Sequence, residues 1–232
     1  MKIALLGDIH ANASALEAVL YAAVTHGVQK LLITGDLVGY YFEPAEVLNL
    51  LKDWDKIVVR GNHEDMLKEA RSNAMVLKDI EHKYGTGIKV ALENLDSEQL
   101  DTLCNLPHPI NLEIDGLHIL LCHGAPWSND FYIYPDATEA ILERCAENQF
   151  DVVVMGHTHY PMLKRIGKTQ LVNPGSVGQQ RSGKIGAHWA LLDTNTTEVS
   201  LHCESYNSSF LQLEAKKRHP ELPYLFEVLT RQ

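Results

Sequence analysis

Five stretches of this chain share one design: a short apolar run stops at glycine and at carboxylate, imidazole or amide side chains. They are K-I-A-L-L-G-D-I-H with Asp8 and His10, L-L-I-T-G-D with Asp36, I-V-V-R-G-N-H-E with Asn62 and His63, I-L-L-C-H-G with His123, and V-V-V-M-G-H-T-H with His157 and His159. A run rich in Ile, Leu and Val that stops at Gly reads as a buried strand leaving a sheet. Ligands bind where the carboxyl ends of such strands meet, because the loops converge there while the sheet holds them rigid. Residues far apart in sequence are thereby gathered at one edge. Carboxylate, imidazole and one amide form a donor set for borderline divalent metals rather than for haem or thiolate clusters.

The remaining periodicity supplies the scaffold. Residues 2–7 read as a first strand, Asn12 to His26 as a helix with Asn12 or Ser14 as N-cap, and Lys30 to Thr34 as a second strand. A helix from Pro44 to Leu51 and a strand from Lys56 to Val59 continue the alternation, which argues for a parallel sheet with helices outside. His63 to Leu106 reads as irregularly helical, broken at Gly85-Thr86-Gly87, with a capped helix from Ser97 to Leu106. Ile110 to Ile114 and Leu117 to Cys122 form a hairpin about Asp115-Gly116. A helix over Ala137 to Glu147 leads to a strand from Asp151 to Met155. The texture then turns β: Met162 to Ile166, Gln170 to Val172, His188 to Asp193 and Glu198 to Cys203, which predicts a second sheet packed on the first. Ser208 to Thr230 reads as helical.

The ordered set D-x-H, G-D, G-N-H-E, lone His and G-H-x-H resembles the signature of the calcineurin-like metallophosphoesterase superfamily. Every element is present, in order, from the first strand to beyond Ser176. The resemblance implies a four-layer α/β/β/α sandwich of two mixed β-sheets flanked by helices, with residues 1–232 as one domain. It also implies two divalent transition-metal ions, manganese first with Fe, Zn, Ni or Co as alternatives, bridged by Asp36. Asp8, His10 and His159 would complete one site, and Asn62, His123 and His157 the other. Two metals ~3.5–4 Å apart can activate water and hold both oxygens of a phosphoryl displacement, here by attack of a metal-bridging hydroxide. His63 is the implied catalytic residue, donating a proton to the leaving oxygen or stabilising charge there, and an imidazole that titrates near neutrality can do either.

Finer features narrow the branch. N-P-G-S-V-G-Q-Q-R, from Asn173 to Arg181, resembles a loop of the prokaryotic phosphodiesterase-like members. Arg181 and Asn12 are read as contacts to phosphate, and Ser176 as either a substrate contact, a ligand-orienting group or part of a plain turn. The second motif departs from that of Ser/Thr phosphoprotein phosphatases. Gly39 and Tyr40 stand where a histidine-orienting Asp and a phosphate-gripping Arg would be, which leaves Arg60 or Arg181 as replacement clamps and the support of His63 open. Tyr40, Tyr41, Phe42, Trp127, Phe131, Tyr132 and Tyr134 cluster in loops after ligand-bearing strands. They serve either as packing anchors or as stacking surfaces for a nucleotide-like substrate. His26, His82, His108, His118, His188, His202 and His219 are read as structural.

Composition removes other classes. A formal net charge of −10 without a dense basic stretch disfavours a nucleic-acid partner, which is held by clustered Lys and Arg. No apolar stretch approaches the ~20 residues of a membrane helix. An N-terminus that enters a ligand-bearing strand at once does not read as a signal peptide. Cys104, Cys122, Cys145 and Cys203 lack C-x-x-C spacing and read as reduced thiols, so a cytoplasmic location is expected. The predicted function is hydrolysis of a small phosphorylated substrate, foremost a phosphodiester. A dinucleoside polyphosphate hydrolase and a non-catalytic scaffold on the same fold are the alternatives, and a homo-oligomer is left open.

Overall fold

The computed structural model describes residues 1–147 and 150–231. It begins with β1 (Lys2–Leu6), α1 (Ala13–His26), β2 (Lys30–Ile33), α2 (Pro44–Leu51) and β3 (Lys56–Val58). β1 pairs with β2, and β2 with β3, in parallel, as strands joined by crossover helices must. α1 is started by the Asn12 side chain, which accepts from Ala15 N, and is ended by Gly27 in the left-handed conformation. α3 (Asn62–Ser72), α4 (Ala74–Tyr84), α5 (Gly87–Asn94) and α6 (Ser97–Cys104) follow. Then β4 (Ile110–Ile114) and β5 (Leu117–Leu121) form the expected antiparallel hairpin about Asp115-Gly116. The chain continues through α7 (Glu139–Ala146), β6 (Val152–Val154), β7 (Met162–Ile166), β8 (Thr169–Asn173), β9 (Ala187–Asp193) and β10 (Glu198–Glu204) to α8 (Ser209–Arg218) and α9 (Tyr224–Glu227).

Two mixed five-stranded sheets result, in the orders β10-β9-β1-β2-β3 and β4-β5-β6-β8-β7. One expectation is corrected here. The late strands do not all build the second sheet: β7 and β8 do, whereas β9 and β10 return to the first, with β9 antiparallel to β1. Strand periodicity reports which faces are buried but not which edge a strand joins. β9 is nearly buried throughout, with Trp189 packed on the helix side and Ala190 and Leu192 between the sheets. It therefore covers the free edge of β1, which would otherwise expose unpaired backbone groups.

The layers follow from the two-residue period of the strands. Ile3, Leu5 and Leu32 of the first sheet meet Ile119, Leu121, Val152, Val154 and Val172 of the second. The alternate residues Ala4, Leu6, Leu31 and Ile33 pack outward on helical residues such as Leu16, Val19 and Leu67. On the far side Leu120, Val153 and Leu171 pack on Leu142 and Cys145 of α7. The parallel strands β1, β2, β3 and β5, β6, β8 end on one rim. There α8 and α9 add a separate cluster in which Leu211, Ala215, Leu225, Val228 and Leu229 close over Ala11, Tyr40 and Tyr41. Among the described residues no helix is long and apolar enough to cross a membrane.

Candidate metal centre

The strand ends turn sharply at the residues that carry the chemistry. Asp8, His10, Asp36, His157 and His159 have φ of 54°, 52°, 54°, 67° and 63°. L-residues enter this left-handed region at a cost of ~1–2 kcal/mol each, and they stay there only where the surroundings over-determine them. Backbone bonds between loops do so: His10 N donates to Asp36 O at 2.9 Å, Ala11 N to Leu37 O at 2.8 Å, and Asp8 N to Gly35 O at 3.2 Å. The D-x-H and G-D loops are thus one hydrogen-bonded unit.

Two groups of donor atoms face each other across Asp36. In one, the Nε2 atoms of His10 and His159 are 3.1 Å apart, and His159 Nε2 lies 3.4 Å from Asp8 Oδ1. In the other, His123 Nε2 is 2.9 Å from Asn62 Oδ1 and 3.2 Å from His157 Nδ1. Asp36 Oδ2 is 3.8 Å from His10 Nε2 and 3.4 Å from His123 Nε2, so a single carboxylate touches both groups. Six of these side chains are buried, and Asn62 is half-buried.

This donor set fits metal ions on its own terms. Nδ1 of His10, His123 and His159 faces the backbone oxygens of Val38, Thr34 and Gln179 at 3.1, 2.7 and 2.5 Å. A carbonyl only accepts, so each Nδ1 carries a proton and, in the neutral ring, each Nε2 presents a lone pair. Metal-binding histidines are commonly held this way through the second nitrogen. The lone pairs of His10 and His159 then oppose each other at 3.1 Å, an arrangement that a cation beside both relieves. His123 Nε2 likewise meets acceptor atoms, and the acids and imidazoles group around Asp8, His10 and His159 on one side and Asp36, His123 and His157 on the other. Oxygen and imidazole donors in this ratio suit divalent transition metals.

The field of the site points the same way. Burial opposes charge on Asp36, but His123 and His63 outweigh it and hold the carboxyl well below its usual range. Burial also opposes charge on His123, yet Asp36, by charge and by hydrogen bond, pushes that imidazole up to about 9. Burial first, then the neighbouring His123, holds His157 down to about 3. His10 lies well below its ordinary value for the same first cause, with His63 second. The cluster therefore calls for positive charge beside Asp36 while keeping most of its imidazoles neutral and free to ligate.

Other residues hold this array in place. The Glu64 carboxylate accepts from Gly61 N, Asp36 N and Leu37 N, all at 2.8 Å, which staples the G-D loop to the start of α3. Burial, then Asp36, pushes Glu64 up to about 7, while the backbone donors pull it down. No role for Glu64 was read from the sequence, although G-N-H-E carries the Glu at the third helical position, from which it reaches back to the N–H of the N-cap Gly61. Gly61 is required because a Cβ there would lie 2.0 Å from Asp36 Oδ1. Ser176 Oγ donates to Asp8 O and accepts from Gln179 N, each at 2.7 Å, so it orients a strand end. Asn173 Nδ2 spans Gly156 O at 2.8 Å and Thr158 Oγ1 at 3.0 Å, bracing the G-H-T-H turn. Asp130, also unsuspected from sequence, brings Oδ1 to 3.4 Å from the outer nitrogen of His157.

His63 lies at the centre's edge. A Cβ on Gly39 would fall 1.9 Å from His63 Nδ1, so this position has no room for an orienting Asp beside the ring. Instead His63 N donates to Asp36 Oδ1 at 2.9 Å, and the ring packs on His10 and Tyr40 at 4.7 Å and on Tyr84 at 5.8 Å. Nδ1 is buried without a hydrogen-bond partner among the described residues. Burial holds the imidazole down to about 4, with Asp36 opposing.

The predicted phosphate contacts separate. Asn12 is corrected: its Nδ2 donates to Gly178 O at 2.9 Å and Tyr206 Oη at 3.1 Å, and its Oδ1 caps α1, so the side chain is spent inside the fold. Arg60 is similarly spent on Leu106 O and Asp65. Arg181 lines the cleft together with Asp36, Asn62, His63, His157 and His159. Its Nη2 donates to Tyr40 Oη at 3.1 Å and Gln179 Oε1 at 2.9 Å. The aromatic set also divides. Tyr41 and Phe42 are anchors under α8 and α9, Trp127 stacks beneath Arg144 at 3.8 Å, and Tyr40 and Tyr132 line the cleft.

Residues 1–197 match the family model described as the calcineurin-like phosphoesterase superfamily domain. The chain is 30% identical over 238 residues to the protein MJ0912 of Methanocaldococcus jannaschii, covering 94% of each. It is 26% identical over 205 residues to the phosphodiesterase YfcE of Escherichia coli strain K12, covering 86% of this chain and 91% of that one. Protein PH1004 of Pyrococcus horikoshii OT3 shares the fold, with a TM-score of 0.85 at 24% identity over 98% of this chain and 97% of that one.

Proposed function

The chain belongs to the calcineurin-like phosphoesterase superfamily, in its prokaryotic phosphodiesterase-like branch, and is a metal-dependent phosphoesterase; on that premise we propose a dinuclear centre that hydrolyses small phosphodiesters. The observation that carries this reading is the pair of oxygen- and imidazole-bearing clusters on either side of Asp36 Oδ2, 3.8 Å from His10 Nε2 and 3.4 Å from His123 Nε2. Asp8, His10 and His159 would hold one ion, Asn62, His123 and His157 the second, and Asp36 both. When bound, such ions supply Lewis acidity and a nucleophile at neutral pH, and manganese is the ion to try first.

The chain's own side chains do the rest. Arg181, pinned by Tyr40 and Gln179, faces the cleft as a cationic contact for a phosphoryl oxygen. His63, neutral at pH 7 and held by backbone and ring packing, donates a ring N–H hydrogen bond to the leaving oxygen and stabilises the charge that develops there. Tyr40, Tyr84 and Tyr132 wall the cleft and restrict water around it. One cationic clamp suits a diester monoanion better than a monoester dianion, whose larger charge gains more from added guanidinium groups. The reading treats residues 1–232 as one domain, supported by an inter-sheet core that joins Ile3 to Leu192. It places the protein in the cytoplasm, in keeping with four free cysteines.

The test compares kcat/KM of the manganese-loaded protein on bis(p-nitrophenyl) phosphate, p-nitrophenyl phosphate and a phosphoserine peptide. The diester should be the best substrate. Preference for the phosphopeptide would overturn the substrate assignment, and no metal-dependent turnover of any of the three would favour a binding scaffold.

A further inference from the structure

The space directly over the donor atoms is small, so the organic arm of a substrate lies beside the cleft rather than in it. Its free volume is about 20 Å³, room for roughly one water molecule. Arg181, however, borders a second compartment of about 450 Å³, a volume within the range of small-molecule sites. That compartment is lined by Tyr160, Gln179, Arg181, Tyr224, Glu227 and Arg231 among others. Three of these, Tyr224, Glu227 and Arg231, lie beyond residue 197, where the family match ends. The C-terminal segment therefore adds a wall beyond the residues that the family model matches.

Two files of aromatic rings connect the compartments. On one side Tyr132 lies 3.9 Å from His157, stacks on Tyr134 at 5.8 Å, and Tyr134 meets Tyr160 at 5.8 Å. On the other, Tyr40 packs 6.3 Å from Tyr224, whose hydroxyl is tied to Lys83 O at 2.6 Å. The floor is fixed by Gln180 Nε2, which donates to the carbonyls of Val228 and Arg231 at 3.3 Å. Gln179 is 1% exposed, and its Nε2 has no hydrogen-bond partner among the described residues. The rings of Tyr160 and Tyr224, the buried amide of Gln179, the Arg181 guanidinium and the exposed side chains of Glu227 and Arg231 match a planar heterocycle with a hydrogen-bonding edge and sugar hydroxyls. A simple alkyl or aryl arm would leave the buried Gln179 amide unanswered.

The geometry points to a nucleoside compartment beside the metal cleft: Tyr160, Tyr224 and the C-terminal segment bind the nucleoside arm of a phosphodiester while Arg181 spans the two spaces. Tyr160 and Tyr224 stack on the base, Glu227 accepts from sugar hydroxyls or a ring N–H, and Gln179 and Arg231 meet the acceptors of the base. This assignment rests on the phosphodiesterase reading above for the placement of the phosphate.

The experiment pairs two diesters with the same leaving group, thymidine 5′-(p-nitrophenyl phosphate) and methyl p-nitrophenyl phosphate, on the manganese-loaded protein and on Tyr160→Ala and Tyr224→Ala. In parallel, saturation-transfer NMR follows thymidine on protein stripped with EDTA. Base stacking supports a preference of about tenfold or more for the thymidine diester, carried mainly in KM. Each variant should bring the ratio towards unity and weaken the thymidine signal, and Tyr160→Ala, which leaves the Tyr224 tether to α4 intact, covers the case of a misfolded Tyr224→Ala. Equal turnover of both diesters with no thymidine signal would overturn the compartment and leave the phosphodiesterase reading standing. Variant-sensitive thymidine binding without turnover of either diester would do the reverse.

Discussion

The metal cleft and the compartment beside it are built on opposite plans. The cleft takes its side chains from the ends of β1, β2, β3, β5 and β6, in loops that are hydrogen-bonded to one another and held in left-handed conformations. Its neighbour takes half of its wall from α9 and the residues after it, which reach the rim only by packing Leu225, Val228 and Leu229 over Tyr40 and Tyr41. The first plan secures chemistry, because strand ends cannot move without breaking the sheet. The second allows substrate choice to change at low cost, because the C-terminal segment is fastened by one apolar cluster and a few hydrogen bonds.

Several substitutions would break or sharpen that contrast. Asp36→Asn should have the largest effect: with one charge removed from between both donor groups, metal content measured by elemental analysis and hydrolytic activity should vanish together. Full metal content with activity intact would remove Asp36 from the centre. His63→Ala should retain the metals yet lower kcat by ~10²–10³ on alkoxide leaving groups, with a smaller loss for p-nitrophenolate, which builds up less charge on the leaving oxygen. An equal loss on both would show that His63 does not act on the leaving oxygen.

Glu64→Gln should weaken metal affinity by ~10–100-fold, the scale of losing a group that orients ligands. Titration calorimetry would read it, and an unchanged affinity would mean that the loop staple at Gly61, Asp36 and Leu37 is dispensable. For protein stripped of metal, the buried histidines set the pH dependence of stability. Burial depresses His63 to about 4 and His157 to about 3. As pH falls below the unfolded value near 6.5, the unfolded chain gains protons that the folded one refuses, and stability is lost towards pH 4. His123, raised to about 9, has the opposite sign: its contribution is complete below pH 6.5 and is lost as pH rises through 9. Thermal melts should therefore fall on both limbs, more steeply on the acid one, and a flat acid limb would contradict the neutral, buried assignment. Tyr41→Phe should have the smallest effect. It removes the hydroxyl that donates to Leu225 O at 3.0 Å, costing ~1–3 kcal/mol for the carbonyl left unpaired, with metal content unaltered. A loss of metal in this variant would show that the two regions are more tightly coupled than their construction implies.

Much of the site was legible because strand ends announce themselves. An apolar run, a glycine and a ligand-type side chain are contiguous, so Asp8, Asp36 and His157 could be named before any fold was known. The reach of Glu64 back to Gly61 N lay in the same stretch and was passed over, since its other partners, Asp36 N and Leu37 N, are remote in sequence. Asn12 was misassigned for the converse reason. Adjacent to D-x-H it looked like a phosphate contact, but the helix that begins beside it claims the side chain.

The sequence by itself determined the strand and helix pattern, the identity of the donor atoms and the absence of an orienting carboxylate at Gly39. These are local facts, set by residue type and by periods of two and 3.6 residues. Only the tertiary structure decided that β9 covers the edge of β1, that Asp36 Oδ2 stands between two groups of donors, and that ring packing supports His63. It alone carried α9 across the molecule to wall a second compartment. Edge choice and long-range docking depend on which buried surfaces fit each other in three dimensions, and burial pattern along a chain records that a surface is covered without recording by what.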